Sequence, residues 1–153
     1  MMLNIDSESI SRNDSHFFGN INFRFDDFYF PSNDWNDFIF VILNWWIQSL
    51  RNLLSNDVVK EELLFMDGPF LVKINYLKDD IFTLFFVKND HDIINSFEIN
   101  KELFVRDFLI EVNSLIREFD KTKMKSKDFD ELKKNYSKLQ LLMNNKINDR
   151  FSN

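Results

Sequence analysis

The spacing of large apolar side chains changes period along this chain, and that change limits the folds open to it. From Ile21 the pattern alternates, with Ile21, Phe23 and Phe25 on one side and Asn22, Arg24 and Asp26 on the other, as in a half-buried strand. Trp35, Phe38, Ile39, Ile42, Leu43, Trp46, Leu50 and Leu53 then recur at steps of three and four, the apolar stripe of a helix. Alternation returns at Phe70, Val72, Ile74 and Tyr76, and helical spacing at Phe104, Phe108, Leu109, Val112, Leu115, Ile116 and Phe119. The order predicted is β-α-β-β-β-β-α-α: an α+β fold with an antiparallel sheet of about five strands packed against two to three helices.

Local signals set the expected boundaries. Pro31-Ser32-Asn33-Asp34 stops the first strand and offers Ser32 or Asn33 as an N-cap, with Asp34 and Asp37 in the helix's first turn, where its dipole favours acids. Ser55-Asn56-Asp57 closes that helix. Glu62 to Met66 reads as a strand, and Asp67-Gly68-Pro69 as a tight turn that uses one of only two glycines. The turn Lys78-Asp79-Asp80 precedes Ile81 to Val87, a run apolar on both sides that predicts a central strand covered on both faces. Asn89-Asp90-His91-Asp92 turns into a shorter strand at Ser96 to Ile99, and Asn100 caps the second helix. Ser126 caps a third, whose seam of Phe129, Leu132, Tyr136, Leu139 and Met143 suits packing against one other helix. The expected partner is the Phe104–Phe119 helix, giving a monomer, with homodimerisation through residues 126–153 as the alternative.

The expected organisation is one domain: a loose leader at 1–15 that could hold one short strand, an acidic α+β core at 16–120, and a mildly basic helix at 121–153 docked on it. Nineteen Phe and three Trp supply the core, and the absence of Cys excludes disulfides and thiolate chemistry and fits a reducing compartment. The N-terminus has acids where a signal peptide needs bases, and no run approaches the ~20 apolar residues of a membrane span. A cytoplasmic protein without membrane contact is expected. The chain contains no Ala and is rich in Phe, Ile, Asn, Lys and Asp, a composition ascribed to codon bias. The net charge of −6 divides unevenly, with −10 on residues 1–116 and +4 on 117–153, which favours a basic partner and disfavours direct nucleic-acid binding.

No catalytic or metal constellation is legible, so no enzyme, cofactor or metal is expected. His16 and His91 are the only histidines, and Asp90-His91-Asp92 reads as a solvated turn. It also lacks the pattern of a calcium loop. The pairs Asp26/Asp27, Glu61/Glu62 and Asp79/Asp80 lie beside turns or strand ends, where surface charge explains them. Trp45 and Trp46 diverge by about 100° on a helix, so both cannot face the core, and Trp45 is a candidate anchor for a partner.

The run Phe30-Pro31, Trp35, Phe38, Trp45, Trp46, then Phe65-Met66-Asp67-Gly68-Pro69-Phe70 and a strand meander, resembles small bacterial immunity proteins of polymorphic or contact-dependent growth-inhibition systems. The resemblance covers residues 20–119 in order of elements. It implies a cytoplasmic, non-catalytic inhibitor that covers the active site of a cognate toxin, often a basic nuclease. The contacts expected from the residues are Asp26, Asp27, Asp34, Asp37, Asp79, Asp80, Asp90 and Asp92, with Trp45 as aromatic anchor. The alternative is an α+β module that holds a small ligand in an aromatic-lined pocket.

Overall fold

In the computed structural model, which describes residues 2–66, 68–77 and 79–151, the chain is α+β with two antiparallel sheets and three helices. The turn residues Asp67 and Lys78, and Ser152 and Asn153, fall outside the described residues. The first sheet holds β1 (Leu3–Asn13), β2 (His16–Phe25), β3 (Phe28–Phe30) and β4 (Asn36–Phe38). In it β2 pairs with β1 on one side and with both β3 and β4 on the other. The central helix α1 (Ile39–Leu54) follows, and then the second sheet in the order β5 (Lys60–Leu64), β6 (Phe70–Tyr76), β7 (Ile81–Lys88) and β8 (Asp92–Asn100). Helices α2 (Lys101–Lys121) and α3 (Lys127–Phe151) complete the chain.

Three expectations are corrected. The N-terminal segment is no loose leader: β1 is an eleven-residue strand with Leu3 buried, and Asp107 of α2 accepts from the N–H groups of Met2 and Leu3 at 3.0 and 2.9 Å. A register slip between Asp6 and Ser11 breaks the alternation that would have revealed it. The strands form two sheets of four rather than one of about five, and β3 and β4, three residues each, are too short to display a period in the sequence. Helix α1 begins at Ile39, not after Ser32 or Asn33, since pairing with β2 holds Asn36 to Phe38 extended. Phe38 stands at the N-cap without a side-chain cap, and no acid lies in the first turn.

Elsewhere the local signals hold. Asn100 caps α2 by accepting from Leu103 N–H at 3.2 Å, and every residue expected on the buried stripe of that helix is buried. Ser126 accepts from Phe129 N–H at the start of α3. The seam of α3 is buried at Phe129, Leu132, Leu139 and Met143, with Tyr136 half-buried, so it docks within its own chain. It lies mainly on α1 and less on α2, where α2 alone was expected. Asn44 of α1 donates to Asp128 O at 3.0 Å and accepts from Asn135 at 2.9 Å, which pins the pair.

The core gathers around Trp46, fully buried and in ring contact with Phe23 at 5.3 Å and Phe65 at 5.1 Å. Phe86 of β7 meets Phe23, Phe25, Phe28 and Phe30 of the first sheet, joining the two sheets through their inner faces. Gly68 has φ +118, and a Cβ there would come within 2.9 Å of the Trp35 ring, so both conformation and space require glycine.

Candidate functional site

Strand alternation gives the second sheet one inner and one outer face. Leu63, Val72, Ile74, Phe82, Leu84 and Phe86 fill the core. The opposite face is ordered by the register into three rows across the strands. Leu64, Leu71, Val87 and Ile93 form an apolar row; Glu62, Lys73, Phe85 and Ser96 a mixed one; and Lys60, Asn75, Thr83 and Glu98 a polar one. Strand β7 was expected to be covered on both faces, and this is where the expectation fails. Its inner-face residues Phe82, Leu84 and Phe86 are fully buried, whereas on the outer face Val87 is buried but Phe85 is only half-buried and borders open space.

What bounds this face is a groove of about 830 Å³, open to solvent. Trp45 and Ser49 of α1 form one wall, Asp90 and His91 of the β7–β8 turn another, and Phe85 and Val87 contribute to the floor. Lys73 donates to Asp90 O at 3.3 Å, which draws the turn toward the face. A smaller hollow of about 300 Å³, lined in part by Met66, Pro69 and Leu71, shares Trp45, Leu64 and Asp90 with it. Trp45 is 42% exposed and Ile93 61%. Trp46 donates its indole N–H to Leu64 O and Trp35 donates to Asp37, whereas the Trp45 indole N–H has no acceptor among the described residues. Trp45 thus presents a large apolar ring and a free donor together.

The acids expected as partner contacts do not gather on one face. Asp37 is fully buried, a correction: its carboxylate accepts from Trp35 Nε1 at 2.9 Å and Phe38 N–H at 2.8 Å, work that holds β4 in place. Asp34 accepts from Ser32 Oγ in an exposed loop. Asp26 and Asp27 turn β2 into β3. Asp79 and Asp80 lie before β7 and Asp90 and Asp92 after it, about 25 Å apart along an eight-residue strand. Asp80 also pairs with Lys101 at 3.1 Å, whose ammonium sits 3.1 Å from the Tyr76 hydroxyl.

Backbone conformation explains many of these positions. Asp26, Asp79, Asp80 and Asp90 have φ of 54, 61, 59 and 68, in the left-handed region where Asp and Asn are tolerated after glycine. A chain with two glycines must make such turns with Asp and Asn. Of the residues expected to contact a partner, the structure brings only Trp45 and Asp90 to the groove, where His91 and the Glu61/Glu62 pair also lie. Phe85, Leu64, Ile93 and Lys73 were missed, although the doubly apolar run at 82–87 carried the signal.

Among the described residues no group of three or more His, Cys, Asp or Glu is placed to hold a metal ion, and no helix is long and apolar enough to cross a membrane. Every buried side-chain polar atom described has a partner. Comparison with models of protein families, with curated proteins and with solved structures finds no match.

Proposed function

We propose that the chain is a non-catalytic binding protein of the immunity-protein kind, which neutralises a toxin domain in the cytoplasm by covering its working surface. The outer face of the second sheet, centred on Trp45, is the contact surface. The observation that supports this reading is the open groove in which the exposed side chains of Leu64 and Ile93 and the half-buried Phe85 stand beside Trp45, an exposed tryptophan with a free donor. Tryptophans in such settings dominate binding energy, because they bury a large area while fixing few torsions. The net charge of −6 favours a basic partner such as a nuclease. The scatter of the turn acids removes a focused acidic face from the picture, so long-range attraction comes from the whole body and affinity from the apolar floor.

Co-expression with the C-terminal domain of a secreted protein encoded next to this chain tests the reading. Protection of growth is expected, together with loss of protection for Trp45→Ala. A neighbouring product that neither binds nor harms, or protection indifferent to Trp45, would sink it. The small-ligand alternative draws on the aromatic wall and floor of the same groove. A low-molecular-mass ligand carried through purification, removed by Phe85→Glu, would favour it.

A further inference from the structure

The turn between α2 and α3 reads Lys121-Thr122-Lys123-Met124-Lys125-Ser126-Lys127, four lysines and no acid in an otherwise acidic chain. Its backbone is fixed from within. Thr122 Oγ1 donates to Phe119 O at 2.6 Å and accepts from Met124 N–H at 3.2 Å, and Ser126 Oγ accepts from Phe129 N–H at 3.2 Å. All four lysines are exposed, and Met124 between them is 40% exposed.

Local structure accounts for only one of these charges. Lys121 ends α2, where the helix dipole favours a cation, and it pairs with Glu118 at 2.9 Å. Lys123 has φ 62 just beyond the C-cap, a place that Gly or Asn normally takes. Every other non-glycine residue with positive φ among the described residues is Asp or Asn, so this lysine departs from the chain's own way of making such turns. Lys125 and Lys127 flank Ser126 at the positive end of α3, where the dipole opposes cations. Among the described residues no carboxylate pairs with Lys123, Lys125 or Lys127. The nearby Asp120 and Asp130 face Lys133, each at 3.7 Å, and Asp128 and Glu131 leave the three uncommitted lysines in excess. Residues held against a local cost point to a use outside the fold.

The form of the patch narrows the partner. A nucleic-acid single strand needs exposed aromatic rings to stack on, and Phe119 and Phe129 are buried here. A duplex needs basic groups spread along its backbone, whereas these occupy one turn. The acidic turn Asp79-Asp80 sits at the far end of α2, about 31 Å of helix away, where Lys101 N–H donates to Asp80 O. That exceeds the ~8 Å over which charges act at physiological salt, so those acids do not repel a surface met at the α2–α3 turn. An apolar side chain framed by cations matches an anionic lipid surface, whose headgroups take the charges and whose acyl boundary takes the thioether.

We propose that the α2–α3 turn docks on an anionic lipid surface, with Lys123, Lys125 and Lys127 on the headgroups and Met124 at the acyl boundary. No described helix is long and apolar enough to cross a bilayer, and contact of this kind needs none. Four lysines are the smallest cluster expected to hold such a surface, so the attachment is weak, reversible and sensitive to salt. It is independent of the groove around Trp45.

Cosedimentation of the full chain with lipid vesicles tests it. Binding to vesicles rich in phosphatidylserine is expected at about 0.1 M salt, with none to phosphatidylcholine alone and loss at about 0.5 M salt. Replacing Lys123, Lys125 and Lys127 together by Gln should cost on the order of a hundredfold in partition. Met124→Gln should weaken binding severalfold, and Lys60→Gln, at the start of β5, should leave it unchanged. Thermal melting checks that each variant is folded. Lys123→Asn separates the charge from the backbone: it should melt at or above the parent's temperature and still bind vesicles more weakly. No binding to pure phosphatidylserine vesicles, equal binding to neutral ones, a triple variant that binds as the parent does, or a single-stranded oligonucleotide held more tightly than vesicles would overturn the proposal.

Discussion

The indole N–H of Trp46 donates to the main-chain oxygen of Leu64 at 2.7 Å, while Trp45, one residue earlier, lies beside Leu64 in the groove. One tryptophan closes the edge of β5 from within and the other faces solvent, because successive helical residues diverge by about 100°. Trp46→Phe should therefore destabilise the fold by about 2–4 kcal/mol, through an orphaned carbonyl and a poorly filled site. Trp45→Ala should change stability by no more than about 1 kcal/mol, its cost falling on partner binding. Urea midpoints of the two variants check the contrast, and equal losses would contradict it.

Asp37 supplies a second contrast, with Asp34. Replacing Asp37 by Ala leaves the Trp35 indole and the Phe38 amide without their acceptor, at a cost of about 2–4 kcal/mol. Asp34→Ala removes only an exposed bond from Ser32 and should cost at most about 0.5 kcal/mol. Chemical denaturation of both variants decides the matter. A mild Asp37→Ala would mean that water satisfies those donors.

How much of this was legible depended on how local the cause was. Asn100, the α2 stripe and the α3 seam were readable because caps and helical spacing act within a few residues. The start of α1 was not, since a strand partner some twenty residues earlier overrides a good N-cap signal at Ser32 and Asn33. Trp45 was readable from the geometry of adjacent helical residues. The turn acids misled because Asp serves both charge and left-handed backbone, and only φ separates the two uses.

That second use can be measured at Asp90, where φ is 68. Asp90→Gly should keep or slightly raise stability, whereas Asp90→Val should lose about 1–2 kcal/mol from forcing a branched residue into the left-handed region. Thermal melts of the two variants suffice. Equal melting temperatures would show that the turn relaxes to another conformation.

Glu111 predicts a pH effect. Partial burial and, after it, the nearby Asp107 carboxylate raise its pKa above the ordinary 4.5. The folded state then holds the proton more tightly than the unfolded state, so this contribution to stability is complete below about 4.5 and is lost as pH rises through the folded-state value. Glu111→Gln should be more stable than the parent at neutral pH, with the advantage shrinking on acidification toward 4.5. An advantage that grows on acidification would contradict the sign.

The fate of α3 follows from where its seam lies. Phe129 meets Phe40 of α1 and Phe119 of α2 at ring distances of 5.2 and 4.4 Å, and Leu132 and Leu139 are fully buried. Each such side chain is worth about 1.5–3 kcal/mol on burial, so the four buried seam residues together rival the 5–15 kcal/mol that holds a typical domain folded. Deleting residues 126–153 should leave α1 with an open apolar side, and the truncated chain should bind a hydrophobic dye and melt without a sharp transition. A graded test is Leu139→Ala, expected to cost about 2–5 kcal/mol while the chain still folds. Because the seam is satisfied within the chain, the intact protein should be a monomer by light scattering. A dimeric parent that yields a folded, monomeric truncation would place α3 in the partner's hands and prove the intramolecular docking wrong.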